Sequence, residues 1–274
     1  MNKKKIVVII LTFNSEKIIR KTIKKAKKIS KDIVILDSFS KDKTIKIVKK
    51  LKCKIIKRKF INYSNQRNYI INKLNNKYQW QLHLDADEIL SEELIKNINI
   101  VLKDNVKNCS YIVKRNVYFL GKILRFGGAS NWHLRLFPSK STNVENKPYD
   151  QHYKSKLKTK TLNGPIFDMN TNDLYKWTNS HNNWSSLDIN TKIKENGKIV
   201  KGNFFGNQIE RLRFFKNLYI MFPTIIRPFL LFFYKYFILL GFLDGKVGFY
   251  YCFLNSLWFR TLIDAKKFEK KIKK

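Results

Sequence analysis

The run Ile6-Val-Val-Ile-Ile-Leu11 constrains the fold more than any other stretch of this chain. It is apolar at every position and almost entirely β-branched, with no polar alternation. Such a run is expected of a parallel strand covered on both faces, because a strand with one wet face alternates. Parallel neighbours need crossover connections, and the chain supplies them. Ile19, Ile23, Ala26 and Ile29 recur at helical spacing after Ser15 and Glu16, which read as cap and first-turn acid. A second strand, Ile33–Leu36, follows, and helical spacing resumes from Thr44 to Leu51. The pattern continues with a short strand at Ile55-Ile56 and a helix from Asn65 to Leu74. A strand from Trp80 and a helix with face Leu94, Ile95, Ile98, Val101 and Leu102 complete it. Strand and helix in strict alternation predict an α/β fold, a doubly wound, mainly parallel sheet flanked by helices.

In such sheets ligands lie beyond the carboxyl ends of the strands. Three polar clusters fall there: Thr12-Phe13-Asn14, Asp37-Ser38 and Asp85-Ala86-Asp87. The last ends the stretch Trp80-Gln-Leu-His-Leu-Asp-Ala-Asp-Glu88, where apolar and polar residues alternate before breaking into acids. Asp85 and Asp87 are two apart, so an extended backbone would point both the same way. Paired carboxylates suit Mg2+ or Mn2+, which keep positions open for phosphate oxygens. The same acids could instead load the positive end of the next helix. No Gly-x-Gly-x-x-Gly follows the first strand, so a glycine-rich turn does not hold a pyrophosphate, and a metal would replace that cradle. Asp37 suits the base or ribose of a nucleotide, or caps the next turn. Arg67, in the first turn of its helix, either reaches a phosphate or is a solvated helix residue.

With 274 residues the chain holds one large domain, or a domain with an appendage. A net charge of +36 would ordinarily point to nucleic acid or an anionic membrane. Only ten of the 56 basic residues are Arg. Phosphate and base recognition favours Arg, so no nucleic-acid partner is expected. Cys53, Cys109 and Cys252 are odd in number and widely spaced, which fits a reducing compartment and excludes a cysteine zinc site. The apolar start is too short for a signal peptide, and a cytoplasmic location is expected.

Four pieces, Ile9-Ile-Leu-Thr-Phe-Asn14, Asp37-Ser-Phe-Ser-Lys-Asp42, Gln66-Arg-Asn68 and Leu84-Asp-Ala-Asp-Glu88, resemble the family 2 glycosyltransferases in order and spacing. The resemblance implies the glycosyltransferase A fold, with a mixed, mainly parallel nucleotide-binding sheet, a nucleotide-sugar donor that is often a UDP-sugar, a divalent metal, and transfer with inversion. By position it implies that Thr12, Asn14 and Asp37 hold the nucleoside, Arg67 the phosphates, and Asp85 and Asp87 the donor and metal. Further pieces are similar to a branch that builds lipopolysaccharide core and capsule: Tyr118-Phe-Leu-Gly-Lys122, Gly127-Gly128, Leu134-Arg-Leu-Phe137, Tyr149-Asp-Gln-His152, His181-Asn-Asn-Trp184 and Gly241-Phe-Leu-Asp-Gly245. A glycan or glycolipid acceptor is then expected.

An inverting transfer needs a base for the acceptor hydroxyl. Asp150 is the choice, since Gln151 stands where many relatives carry Glu and cannot take a proton. His152 and His181 are each a third metal ligand, an acceptor contact or a hydrogen-bonded structural residue. Arg135 either clamps the diphosphate or faces water from a strand. Trp132 and Trp184 offer faces to sugar rings or belong to the core. Pro138 to Tyr149 is polar and unpatterned, and a mobile loop is expected there.

The catalytic domain is expected over 1–187, a linker over 188–208, and an aromatic, basic helical region over 209–274. Phe229–Leu243 is too short for a membrane span, which needs ~20 residues. Tyrosines mixed with Lys and Arg instead predict helices lying in an anionic membrane surface, on the inner face of the cell membrane, with a helical cap or an oligomer contact as alternatives. A transferase acting on polyprenyl-linked sugars, or a non-catalytic basic lipid- or nucleic-acid-binding protein, is the competing reading of the whole.

Overall fold

The computed structural model of the chain describes residues 4–104, 108–146, 151–169, 173–190 and 202–273. Strand β1 (Lys4–Thr12) lies inside the sheet. Val7 to Ile10 are completely buried. Because side chains alternate along a strand, β1 serves two cores. Ile6, Val8 and Ile10 pack with Ile19 and Ile23 of α1 (Ile19–Ala26), while Val7 and Ile9 pack on the far face. Each such buried Ile or Val is worth roughly 1.5–3 kcal/mol, and this is why the run admits no polar residue.

The remaining elements of this region are β2 (Ile33–Asp37), α2 (Thr44–Lys50), β3 (Lys54–Lys57), α3 (Tyr63–Leu74), β4 (Tyr78–Asp85), β5 (Glu88–Leu90) and α4 (Glu92–Asp104). β6 (Cys109–Phe119), β7 (Lys122–Ile123), β8 (Asn131–Pro138), β9 (Thr142–Val144), β10 (Tyr153–Ser155) and β11 (Lys158–Asp168) follow. The main sheet runs β3-β2-β1-β4-β8-β6-β11-β5. β1 is parallel to β2 and β4, and β2 to β3. β4 pairs antiparallel with β8, and β11 with β5. The sheet is mixed: the alternating pattern accounts for its parallel half, β1 to β4, and the antiparallel half fits the fold that the family resemblance implies.

Four local expectations are corrected. Ser15 and Glu16 do not cap α1. The Ser15 hydroxyl bonds back to the Phe13 carbonyl within its own loop, while the Ser15 N–H donates to the Thr44 hydroxyl and the Glu16 carboxylate accepts from the Lys43 N–H, so both residues tie the β1 loop to the start of α2. α3 begins at Tyr63, earlier than expected, because Asn62 caps it by accepting from the Asn65 N–H at 2.8 Å. The segment after Pro138 is pinned as far as Glu145, residues 147–149 of it lying outside the described residues: Asn68 bonds Val144 through both its N–H and its carbonyl, and Ser64 donates to the Glu145 carbonyl. Finally, β4 ends at Asp85, and Ala86-Asp87 is a turn into β5, so Asp85 and Asp87 do not share one extended strand. The Glu88 carboxylate accepts the Asp85 N–H at 3.0 Å and closes that turn.

The chain forms two compact units. The first holds Met1–Arg115, Trp132–Asn146 and Gln151–Thr171; the second holds Asn116–Asn131 and Asn172–Lys274, apart from the undescribed residues. The division does not follow a boundary at residue 187, because 116–131 goes with the C-terminal helices. Within the second unit the Asp244 carboxylate accepts the N–H groups of Arg125 and Phe126 at 2.9 and 3.0 Å, and Lys122 lies 3.4 Å from it. Gly127 has φ +64, and a Cβ there would sit 2.8 Å from the Cys252 sulfur and 3.2 Å from the Gly241 Cα. Three of the short motifs, around Lys122, Gly127 and Asp244, are therefore one packing joint.

The helices of this unit are α5 (Leu174–Asn190), α6 (Gln208–Met221), α7 (Arg227–Phe233), α8 (Gly245–Cys252) and α9 (Phe259–Ile272). α6 starts with a capping box in which Asn207 and Glu210 satisfy each other's backbone N–H. His181 on α5 is buried. Its Nδ1 donates to the Trp177 carbonyl at 2.9 Å, its ring stacks on Trp177 at 3.5 Å, and the edges of Trp184 and Phe259 close around it.

Burial lowers the His181 pKa to about 4, against the opposing hydrogen bond to Trp177. A histidine held neutral when folded makes the unfolded chain the better proton binder between about 4 and the ordinary 6.5. Stability is thus full above pH 6.5, falls as pH drops through that window, and levels off below it. At about 1.4 kcal/mol per unit the ceiling is about 3 kcal/mol. Thermal melts across this range should show His181→Phe flattening the pH slope of the wild type.

Candidate active site

The register of the sheet assembles the site. Leu11 pairs with Asp85 and Thr12 pairs with Asp37, so the carboxyl ends of β1, β2 and β4 lie side by side. Two loops zip together above them. The Asn14 N–H donates to the Ser40 hydroxyl at 2.9 Å, and the Lys41 N–H donates to the Asn14 side-chain carbonyl at 2.8 Å. Asn14 adopts φ +46, which its short polar side chain tolerates. The Asp37 carboxylate is buried and accepts both the N–H and the hydroxyl of Ser40. Asn14 and Asp37 therefore shape the loops. The Thr12 hydroxyl is buried without a partner among the described residues.

Beside this edge sits a network of buried charges. Arg67, on α3, donates through Nη2 to both Asp85 oxygens at 2.8 and 3.0 Å. Arg135, on β8, is 1% exposed, so the alternative of a water-facing strand residue is excluded. It bonds closely to Glu88 and lies 3.4 Å from the second Asp85 oxygen. Arg115, on β6, bridges Asp168 at 3.4 Å and Glu88 at 3.8 Å. The Arg67 guanidinium also stands over the rings of Tyr153 and Tyr63, 5.3 and 5.9 Å from their centroids.

The electrostatics separate the two aspartates of the motif. Burial disfavours the ionised form of Asp85, but Arg67, Arg135 and Arg115 outweigh it and hold this carboxyl well below the usual range. Asp87 goes the other way. Burial, then the neighbouring carboxylates of Asp168, Asp85 and Glu88, raise it. Its carboxylate forms no ion pair among the described residues. A hard-oxygen group crowded by like charge and lacking a cation fits Mg2+ or Mn2+, whose arrival would relieve that repulsion. Asp168 is next to it, because β11 pairs Asp168 with Glu88 and the Met169 N–H bonds the Asp87 carbonyl.

The structure does not gather Asp85, Asp87 and His152 into one three-ligand site, and among the described residues no three His, Cys, Asp or Glu side chains do so. The reason is that Asp85 is occupied by two arginines. The His152 backbone is held by Glu145, whose N–H and carboxylate meet its carbonyl and N–H. Trp132 is half-buried in the first unit. His181 and Trp184 belong to the second unit, in the aromatic cluster described above, where His181 takes the structural role. Asp150 lies outside the described residues.

Glu88, Arg115, His133, Tyr153 and Asp168 form this network yet carried no role in the sequence reading. His133 and His83 are both pushed well below the ordinary histidine value, by burial and then by the arginines, and are neutral at physiological pH. His83 stacks on Phe137 and meets the edge of Tyr153, so the ring beneath Arg67 is braced from behind. Several buried polar atoms lack partners among the described residues: Arg67 Nε, Arg135 Nε and Nη1, His133 Nε2 and the Tyr153 hydroxyl. Each such group costs roughly 1–3 kcal/mol while unpaired, which fits a site awaiting a ligand rich in acceptor oxygens.

A mixed α/β sheet flanked by helices, with an acidic turn at the end of β4 and buried arginines beside it, is consistent with the glycosyltransferase A fold. The chain belongs to Glycosyl transferase family 2, whose family model matches residues 7–159. It is 26% identical over 208 residues to an uncharacterized glycosyltransferase of Rickettsia typhi, covering 72% of this chain and 70% of that protein. It is 34% identical to another from Rickettsia bellii over 98 residues, 36% of this chain and 33% of that one. The Staphylococcus aureus protein TarS, residues 1–349, superposes with a TM-score of 0.47 and 12% identity over 96% of this chain and 91% of that structure.

Removing Arg135 would leave Glu88 as a buried charge without its closest partner. Arg135→Met should cost about 3–5 kcal/mol in urea denaturation. Arg115→Met, at a more exposed pair, should cost clearly less.

Proposed function

We propose that this chain is an inverting glycosyltransferase that moves one sugar from a nucleotide-sugar, a UDP-sugar, to a cell-envelope glycan such as a lipopolysaccharide-core or capsule precursor. The observation that carries the reading is the division of labour at the acidic turn: Asp85 anchors two buried arginines, while Asp87 stands beside it crowded by carboxylates and with no ion-pair partner among the described residues.

In this reading the Thr12 hydroxyl and the loops shaped by Asn14 and Asp37 receive the nucleoside. Arg67 and Arg135, kept charged and held in place by Asp85 and Glu88, turn their unpaired N–H groups to the diphosphate oxygens. Asp87 holds the divalent cation, Mn2+ or Mg2+, which when bound supplies Lewis-acid stabilisation of the departing nucleoside diphosphate. Asp150 takes the proton of the acceptor hydroxyl as its oxygen bonds to the anomeric carbon and the bond from that carbon to the diphosphate breaks. The braced ring of Tyr153 keeps Arg67 from swinging, so the site is preorganised for charge on the leaving group.

Release of UDP from UDP-sugars, followed in the presence of a glycan acceptor with and without Mn2+, tests this. Turnover should need the metal. Asp87→Ala should lower it by roughly a hundredfold or more, in keeping with the loss of a main electrostatic group. Asp150→Asn should abolish transfer and leave donor affinity nearly intact. Full turnover by Asp87→Ala overturns the metal assignment, and full turnover by Asp150→Asn overturns the base. Turnover with a polyprenyl-linked sugar and none with any nucleotide-sugar would replace the donor.

A further inference from the structure

α7 and the π-helical turn that continues it, Tyr234–Ile238, are built inside out. Phe229, Phe233 and Phe237 recur every four residues, as do Leu230, Tyr234 and Ile238, and all six are exposed. This stripe is one helical face, and on a helix lapped by water it would carry the polar residues. The polar residues lie on the other side. Arg227 is 7% exposed and forms a two-pronged ion pair with Asp264 of α9. Lys235 donates to the Asn255 side chain at 2.8 Å. The exposed apolar surface continues into the turn before α7, where Ile225 is 80% exposed. A monomer rarely shows water so large a continuous apolar face, on which the Tyr234 hydroxyl is the one polar group of the six side chains.

We propose that this face is seated in the surface of an anionic lipid bilayer. The inverted polarity itself argues for a lipid occupant, since buried ion pairs with outward phenyl and branched side chains are what a hydrocarbon environment selects. Charge agrees. Between Gln208 and Lys273 the sequence holds twelve basic and four acidic residues, and α9 ends in Lys266, Lys267, Lys270, Lys271 and Lys273. Lys and Arg beside an apolar face add attraction to anionic headgroups. The geometry sets the depth. No single helix among the described residues is long and apolar enough to cross a membrane, whereas Arg227–Ile238 and Gly241–Ile272 form an apolar pair bent by 69°. By length and composition such a bent pair is a broken span or a re-entrant loop, and a surface seat takes the second form. The proposal stands apart from the catalytic reading and holds for any substrate.

Flotation of the full chain with vesicles of phosphatidylcholine, alone or mixed with phosphatidylglycerol, tests it. The wild type should float with the mixed vesicles and far less with phosphatidylcholine alone. A Phe229→Glu, Phe233→Glu, Phe237→Glu triple variant changes only outward positions. It should keep the wild-type circular dichroism and melting, and lose roughly tenfold or more of its vesicle affinity. Lys267→Gln with Lys270→Gln and Lys271→Gln should reduce the preference for phosphatidylglycerol. Vesicle binding that survives the triple variant means that charge alone acts, and overturns the proposal. A wild type that stays off all vesicles overturns it too, as does one whose stripe instead holds a dimer that the triple variant separates into monomers.

Discussion

The site depends on one buried interaction, the clasp of Arg67 and Arg135 around Asp85 and Glu88. Two guanidinium groups and two carboxylates taken out of water are costly apart and tolerable together. Their pairing joins α3, the end of β4, the start of β5 and β8 at one point, so the position of the acidic turn follows from where these charges meet. It also leaves Asp87 outside the clasp. In a motif of two acids, one is tied into the wall by arginines and the other is left among like charges.

That asymmetry was not legible in the sequence. A period-two argument places Asp85 and Asp87 alike, and only the turn at Ala86, closed by the Glu88 carboxylate, separates them. The parallel half of the sheet was legible, because a run such as Ile6–Leu11 has no other use and because helical spacing between strands admits only crossover connections. The strands from Cys109 to Asp168 were not. Their alternation is broken by inward-facing Arg115 and Arg135, whose burial makes sense only once their carboxylate partners are placed. Asp168 is the clearest case: it is remote in sequence and arrives beside Asp87 through the pairing of β11 with β5, a register that no local pattern states. Likewise His181, which follows the spacing of a site motif, is explained by aromatic packing within its own unit.

The second unit shows the same physics reversed. Asp244, Gly127 and Gly241 form a joint whose close backbone approach excludes side chains, which accounts for three short motifs without any chemistry. Its helices then turn ion pairs inward and phenyl rings outward. A region that is apolar and basic at once has two ways to fold, and the buried Arg227–Asp264 pair shows which one this chain takes. Only part of the aromatic composition lies on that outward face: Phe229, Phe233 and Phe237 are exposed, whereas Tyr251 is buried.

The central claim is that Asp87 is held ready for a divalent cation next to arginines prepared for a diphosphate. Calorimetric titration of UDP into the folded protein, with and without Mn2+, addresses it most directly. The account predicts that Mn2+ tightens UDP binding and that the gain disappears in Asp87→Ala while metal-free binding is kept. Equal affinity with and without Mn2+, or a gain that survives the loss of Asp87, would contradict it.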